Sequence, residues 1–186
     1  ALPTGTLTFG PGVLSQTITV NVQGDTTNES DETFSVGLTN PSVGTSITSG
    51  AATGTILNDD TPPAAPTLAI SATDANKSEG TGTTATPFIF TVTRSGSTIG
   101  TSSVLYSVTG TGNRKASGSD FVGGTLPKNV AVNFAAGETS KTITLNVVAD
   151  SARENNESFR VTLSSATGAT ISTSSANGTI INDDGV

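Results

Sequence analysis

The sequence predicts an all-β chain built from immunoglobulin-like antiparallel sandwich modules, and three observations carry this reading. The 21 Gly and 8 Pro, with only 12% charged residues, supply many turn formers and few of the long side chains that fill helices. Apolar and polar residues alternate at period two in short runs bounded by Gly, Pro, Asn and Ser, as strands do. No segment shows apolar spacing at three and four residues with caps. The third observation is an internal repeat: residues 6–40 align with 131–165 at a constant offset of 125 and Gly54–Asp60 with Gly178–Asp184 at an offset of 124. Phe9 then matches Phe134, Gly12 matches Gly137, Asp25 matches Asp150, Glu29 matches Glu154 and Glu32 matches Glu157. A period of this length is that of a domain, not of a solenoid unit.

In the second copy, strands are expected near 67–72, 87–94 and 102–108, then a short one near 120–126. A long one follows near 130–147 with a bend at "AAGE", and the last two lie near 158–164 and 169–181. Seven short strands over about 120 residues suit a sandwich. Phe88, Phe90, Val104, Tyr106, Phe134, Ile143, Leu145, Phe159, Val161, Leu163 and Ile180 are its expected core. Residues 1–60 match only the fifth to seventh strands, the C-terminal half of such a domain, and "TPPAAP" at 61–66 reads as a semi-rigid polyproline linker. Residues 67–186 then form a complete domain. A half-sandwich exposes its core face and an open edge. Its missing strands lie upstream in a longer array, come from a second chain by pairing or strand exchange, or are those at 67–126. Local connectivity favours pairing of 67–126 with the strands downstream of it.

There is no Cys, hence no disulfide framework, and stability must come from packing, ladders or bound ions. No run of about 18 apolar residues is present to span a bilayer, and the first residues lack the basic start of a signal peptide. The net charge of −7 is uneven: residues 1–60 carry six acids and no base, and 61–186 carry nine acids against eight bases. Such a surface disfavours nucleic acid as a partner and favours cations.

Strand parity places the acids. Successive strands of a sandwich reverse direction, so the connections after the first, third and fifth strands and the end of the seventh share one pole. Glu79, Asp120, Asp150, Glu154, Glu157, Asp183 and Asp184 all fall there; Asp74 and Glu138 do not. Crowded carboxylates repel and raise one another's pKa unless a cation neutralises them. Ca²⁺ accepts six to eight oxygens in flexible geometry, and Mg²⁺ is the alternative although it prefers fewer carboxylates and retained waters, whereas zinc and copper favour His or Cys, and the chain has neither.

Several of these segments resemble, in order and spacing, the motifs of the Calx-β domain family, known from sodium/calcium exchangers, an integrin and many bacterial surface proteins. They are "SEG" at 78–80, "ASGSDF" at 116–121, "FAAGETSKTITLNVVAD" at 134–150, "ENNESF" at 154–159 and "GTIINDD" at 178–184. The resemblance spans 67–184 as a whole domain and 5–60 as its C-terminal half. It implies Ca²⁺ as cofactor and Glu79, Asp120, Asp150, Glu154, Glu157, Asp183 and Asp184 as ligands, with Asp25, Glu29, Glu32, Asp59 and Asp60 as the matching set in the half-repeat. Where the strongest calcium binders of the family carry runs of three Asp, this chain has "ADS" and "NDD", which implies fewer ions or weaker binding.

Enzymatic chemistry is not expected. Glycoside hydrolysis by paired carboxylates needs a cleft with aromatic platforms, and aromatics are 4% with no Trp. Absence of His and Cys removes most nucleophile and base constellations. The reading is an extracellular or cell-surface Ca²⁺-binding spacer, structural and adhesive, partnered by adjacent repeats of the same protein. A regulatory calcium sensor of a transporter-like protein and a metal-free structural repeat are the alternatives. Parity also implies head-to-tail modules with the acids of 1–60 at the junction, so Ca²⁺ is expected to stiffen the joint. Solution scattering with and without Ca²⁺ checks this: profiles that superimpose would dispose of the stiffened joint.

Overall fold

A computed structural model describes residues 2–185. The chain divides into two compact units, Ala1–Pro62 and Pro63–Val186. The first unit contains the strands β1 (Glu32–Gly37) and β2 (Ala51–Ile56), and the second contains β3 (Thr67–Asp74), β4 (Asn76–Ser78), β5 (Thr86–Ser95), β6 (Ser102–Thr111), β7 (Val130–Phe134), β8 (Ser140–Val147), β9 (Glu157–Thr167), β10 (Thr170–Thr173) and β11 (Ser175–Ile181). In the second unit these make two sheets, a four-stranded one ordered β10-β3-β5-β8 and a five-stranded one ordered β4-β11-β9-β6-β7. The fold is all-β, as the composition and the period-two pattern predict. Among the described residues no helix is long and apolar enough to cross a membrane.

Two expected strands divide because the chain changes sheets partway, and the first runs on past its expected end at 72 into the other sheet. It passes from β3 to β4 at the buried Ala75, and the last passes from β10 to β11 at Ser174. The fifth breaks at the predicted "AAGE" bend, where Gly137 adopts a φ of 82° that glycine tolerates without a Cβ penalty, sending β7 and β8 to different sheets. The expected short strand at 120–126 does not form. A 3₁₀ turn covers Gly118–Asp120, and Gly123 and Gly124 follow at φ 96° and 68°, values that no regular strand accepts. Phe121 keeps a single bridge to Val147.

The core lies between the two sheets and is centred on Phe159. Its ring meets Phe121 edge-on at 5.2 Å between centroids, Phe90 at 5.8 Å and Phe88 at 6.0 Å, separations typical of stabilising aromatic pairs. All the expected core residues are buried except Tyr106, which is only partly covered. Leu68, Ile70, Val92, Val108, Phe121, Val132 and Val147 join them. At the end of the sandwich away from the acidic loops, Arg94 is 3% exposed and donates to the carbonyls of Gly100 and Ala135 at 2.9 Å. It thereby ties the 96–101 loop to the β7–β8 bend. Ala64 and Pro66, in the Pro-rich stretch, accept hydrogen bonds from Ser97 and Thr170.

The first unit shows what the repeat keeps without a first half. β1 and β2 pair in the same register as β9 and β11: Phe34 faces Gly54 as Phe159 faces Gly178. Residues 6–23, expected to match the fifth strand, form no strand. The cause is visible in the second unit, where β7 is hydrogen-bonded to β6 and β8 to β5. Among its described residues the first unit has no counterpart of β5 or β6, so the run has no ladder to join. Phe9 is accordingly 55% exposed where Phe134 is 1%.

Glycine at 178 is required by packing. A Cβ there would stand inside the Phe159 ring, and that ring is fixed on other sides by three aromatic neighbours. Gly178→Ala is therefore expected to destabilise the second unit by about 1–3 kcal/mol, the usual cost of overpacking, measurable by urea unfolding; an unchanged midpoint would mean that the ring has another place to go.

Candidate metal centre

Antiparallel and parallel pairing together bring the acids to one pole. β4 runs parallel to β11, with Ser78 opposite Ile181, so the residues that follow the two strands emerge side by side. Glu79 and the Asp183–Asp184 pair are those residues. The Glu79 amide donates to the Ile181 carbonyl at 3.3 Å and the Gly80 amide to Asp183 Oδ1 at 3.1 Å. The Thr86 hydroxyl donates to the Glu79 carbonyl. Carboxylate oxygens of Glu79, Asp183 and Asp184 lie within 4.8 Å of one another. β9 runs antiparallel to β11, with Glu157 opposite Ile180, which sets the 148–156 loop beside the same spot. Asp120 arrives from the 3₁₀ turn after β6, its Oδ2 accepting the Ser117 amide at 2.5 Å, and it shares a hydrogen bond with Glu157.

Glu79 is only 4% exposed, and its Oε1 has no hydrogen-bond partner; neither has Asp184 Oδ2. Burial, and then repulsion from Glu154, Asp150, Asp184 and Asp183, pushes the Glu79 pKa up to about 7. Burial, the hydrogen bond to Asp120, and the charges of Asp120, Glu154 and Glu79 push Glu157 up to about 7 as well. Glu154 is raised by burial and by Asp120, Asp150 and Asp184, and Asp184 by burial and by Asp183 and Asp150. All seven acids that parity assigned to this pole thus belong to one network, in which the charges of Asp120, Asp150 and Asp183 act on the four raised groups. Asp74 and Glu138, the two left out, each pair with a lysine, Lys77 and Lys141. The Lys141 hydrogen bond holds Glu138 below the usual carboxylate range. Among the described residues no lysine or arginine forms an ion pair with the pole acids. An unpaired buried carboxylate is costly, and this one faces a ring of further carboxylates. The donor set is all oxygen, which suits a hard cation of the calcium type and gives zinc or copper no preferred ligand.

In the first unit Asp25, Glu29, Glu32, Asp59 and Asp60 line a cleft of about 400 Å³ together with Asn58. It contains no residue equivalent to Glu79 or Asp120, because those positions belong to the first half of the domain. The five acids share one cleft but none is buried there as Glu79 is.

Four residues that hold these loops were not singled out from the sequence. Asn182 Oδ1 accepts the Glu154 amide at 3.0 Å, its Nδ2 donates to the Asp184 carbonyl at 3.1 Å, and its own amide donates to Asn156 Oδ1 at 3.1 Å. Asn58 repeats the pattern with the Glu29 amide at 3.1 Å, the Asp60 carbonyl at 2.9 Å and Asp31 Oδ1 at 2.9 Å. Recurrence of Asn before both Asp-Asp pairs was the available signal. Asp150 and Asp25 also close Asx-turns, accepting the Ala152 amide at 2.6 Å and the Thr27 amide at 2.7 Å, so each combines a turn role with its charge.

A family model described as the Calx-beta domain matches residues 2–60 and 63–184. No curated protein sequence gives a match. Among solved structures, an apo-form Calx CBD1 domain superimposes with a TM-score of 0.50 at 21% identity, covering 64% of this chain and 98% of that one. CBD12 from CALX1.2 superimposes with a TM-score of 0.52 at 23% identity, covering 63% of this chain and 44% of that one. At these identities the likeness is one of fold.

The pKa shifts have a signed consequence for the metal-free protein. Glu79 and Glu157 ionise near 7 in the folded state and at the usual 4.5 in the unfolded chain. Folding therefore takes up protons between pH 4.5 and about 7, and stability falls as pH rises through that window. In the presence of chelator the melting temperature is expected to drop between pH 5 and 8, and Glu79→Gln to flatten the drop. A melting temperature that rises across this range would contradict the buried, uncompensated pole.

Proposed function

We propose that this chain, which belongs to the Calx-beta domain family, is a non-enzymatic Ca²⁺-binding β-sandwich segment acting as a structural and adhesive spacer in a larger surface or secreted protein. The observation that carries the cation reading is Glu79: a glutamate that is 4% exposed, with an orphaned Oε1, set among acidic neighbours and without a basic partner. Solvated turns do not account for such a group, since Asx-turn chemistry explains loop Asp and Asn but not a buried glutamate at a strand end. Glu79, Asp183 and Asp184 would supply the nearest oxygens, with Asp120, Asp150, Glu154 and Glu157 completing the negative field. In the first unit Asp25, Glu29, Glu32, Asp59 and Asp60 form a poorer site, lacking the buried acid.

The spacer role and the extracellular or surface location draw support from the duplicated module, the acidic Ser- and Thr-rich composition and the lack of Cys and His. Adjacent repeats of the same protein are the natural partners. Strand exchange through residues 1–60 is a further part of the reading, supported by the unladdered 6–23 run. The sensor reading differs in affinity: extracellular modules work near 0.1–1 mM Ca²⁺ and sensors near the micromolar range, both order-of-magnitude figures.

Calorimetric titration of the full chain with Ca²⁺ tests the proposal. Submillimolar binding is expected, weakened by Glu79→Gln and by Glu157→Gln at least about tenfold, the lower end of what removing even an outer-shell partner costs. Micromolar affinity would favour the sensor. No heat and no change in melting temperature at millimolar Ca²⁺ would leave a metal-free sandwich.

A further inference from the structure

The loop before β9 and the segment after β11 are fastened to each other by a side chain that carries no charge. Asn182 uses its backbone amide and both polar atoms of its side chain for this: its amide donates to Asn156 Oδ1, its Oδ1 accepts from the Glu154 amide, and its Nδ2 donates to the Asp184 carbonyl. Two of the residues it grips, Glu154 and Asp184, are members of the acidic pole, but they are gripped by their backbones. Their carboxylates stay free. An aspartate at 182 would keep the acceptor and lose the donor to Asp184, so the residue type matters.

The first unit provides a second, independent instance. Asn58 makes the same three bonds to Asp31, Glu29 and Asp60, although this unit forms neither sandwich sheet and its loop, "DTTNESD", shares only Asp25 and Glu29 with "DSARENN". The clasp therefore requires nothing beyond two paired strands and their flanks. Asn28 adds a further bond to the Asp60 carbonyl at 2.7 Å.

We infer that Asn182 in the second unit and Asn58 in the first are positioning residues: they lock the loop acids and the Asp-Asp pair into one frame before any cation arrives. This rests on the cation reading above. Like charges in mobile loops move apart when no ion is present, and each approach of a cation would then have to re-gather them at an entropic cost. A neutral strut that joins the two segments by backbone groups removes that cost without altering the charge of the site, as outer-shell residues do for other metals.

The test uses the full chain in two arms. In chelator, amide hydrogen exchange reads the clasp itself: the Glu154 amide is expected to exchange about 5–10-fold faster in Asn182→Ala than in the wild type. The Asn182 amide is freed by Asn156→Ala and protected again by Asn156→Asp, which restores the acceptor that Asp31 supplies in the first unit. Calorimetric titration well below the melting temperature then reads the consequence, a Ca²⁺ affinity about 10–100-fold weaker in Asn182→Ala. A Glu154 amide equally fast in wild type and variant overturns the clasp. A freed amide with unchanged affinity overturns its positioning role and leaves it a structural contact, since a stability defect alone does not weaken binding to a chain that is already folded. A wild type that takes up no Ca²⁺ overturns the cation reading instead, and the exchange arm still decides whether the clasp exists.

Discussion

The pairing of β9 with β11 governs both the core and the acidic pole of the second unit. In the middle of the pair Phe159 faces Gly178, and the missing Cβ is what lets the ring lie over the backbone and collect Phe88, Phe90 and Phe121 around it. At the pole the same register sets the start of β9 beside the end of β11, so the loop before one strand meets the segment after the other. β4, held parallel to β11, delivers Glu79 to the same point. The core and the acidic pole are thus two consequences of one ladder, and a slip by a single residue would turn Phe159 outward and separate the acids together.

Electrostatics works against the fold at this pole. Burial and mutual repulsion raise Glu79, Glu154, Glu157 and Asp184 in the same direction, while the acids outside the pole, Asp74 and Glu138, have lysine partners. A fold under pressure for stability alone would pair or neutralise such groups. Retention of an unpaired cluster, braced by neutral asparagines, is the arrangement expected where binding of a counter-ion offsets the repulsion.

Much of this was legible in one dimension. The constant offset between repeats, the period-two runs and the turn residues give the sheet class, and strand parity alone gathers the seven pole acids. The failures have local causes. Residues 120–126 read as a strand by pattern, but adjacent glycines at positive φ and the Asp120 cap turn the chain instead. The 6–23 run has strand composition, yet a strand requires a neighbour, and alternation says nothing about whether one exists. Tyr106 alternates correctly and still lies only partly covered, because period two gives a face and not a depth. The asparagine clasp passed unnoticed because Asn is common in turns, and its three bonds reach residues 26 and 28 positions away as well as the near Asp184.

What the sequence determined by itself is the repeat, the all-β class and the side of the sandwich on which the acids lie, since these follow from periodicity and strand direction, which are properties of the chain. The tertiary structure decided which segments change sheets, which acid is buried, and which asparagines hold the loops together. Those depend on pairing between distant strands and on loss of solvent at a particular side chain, and neither quantity exists until the ladders have closed.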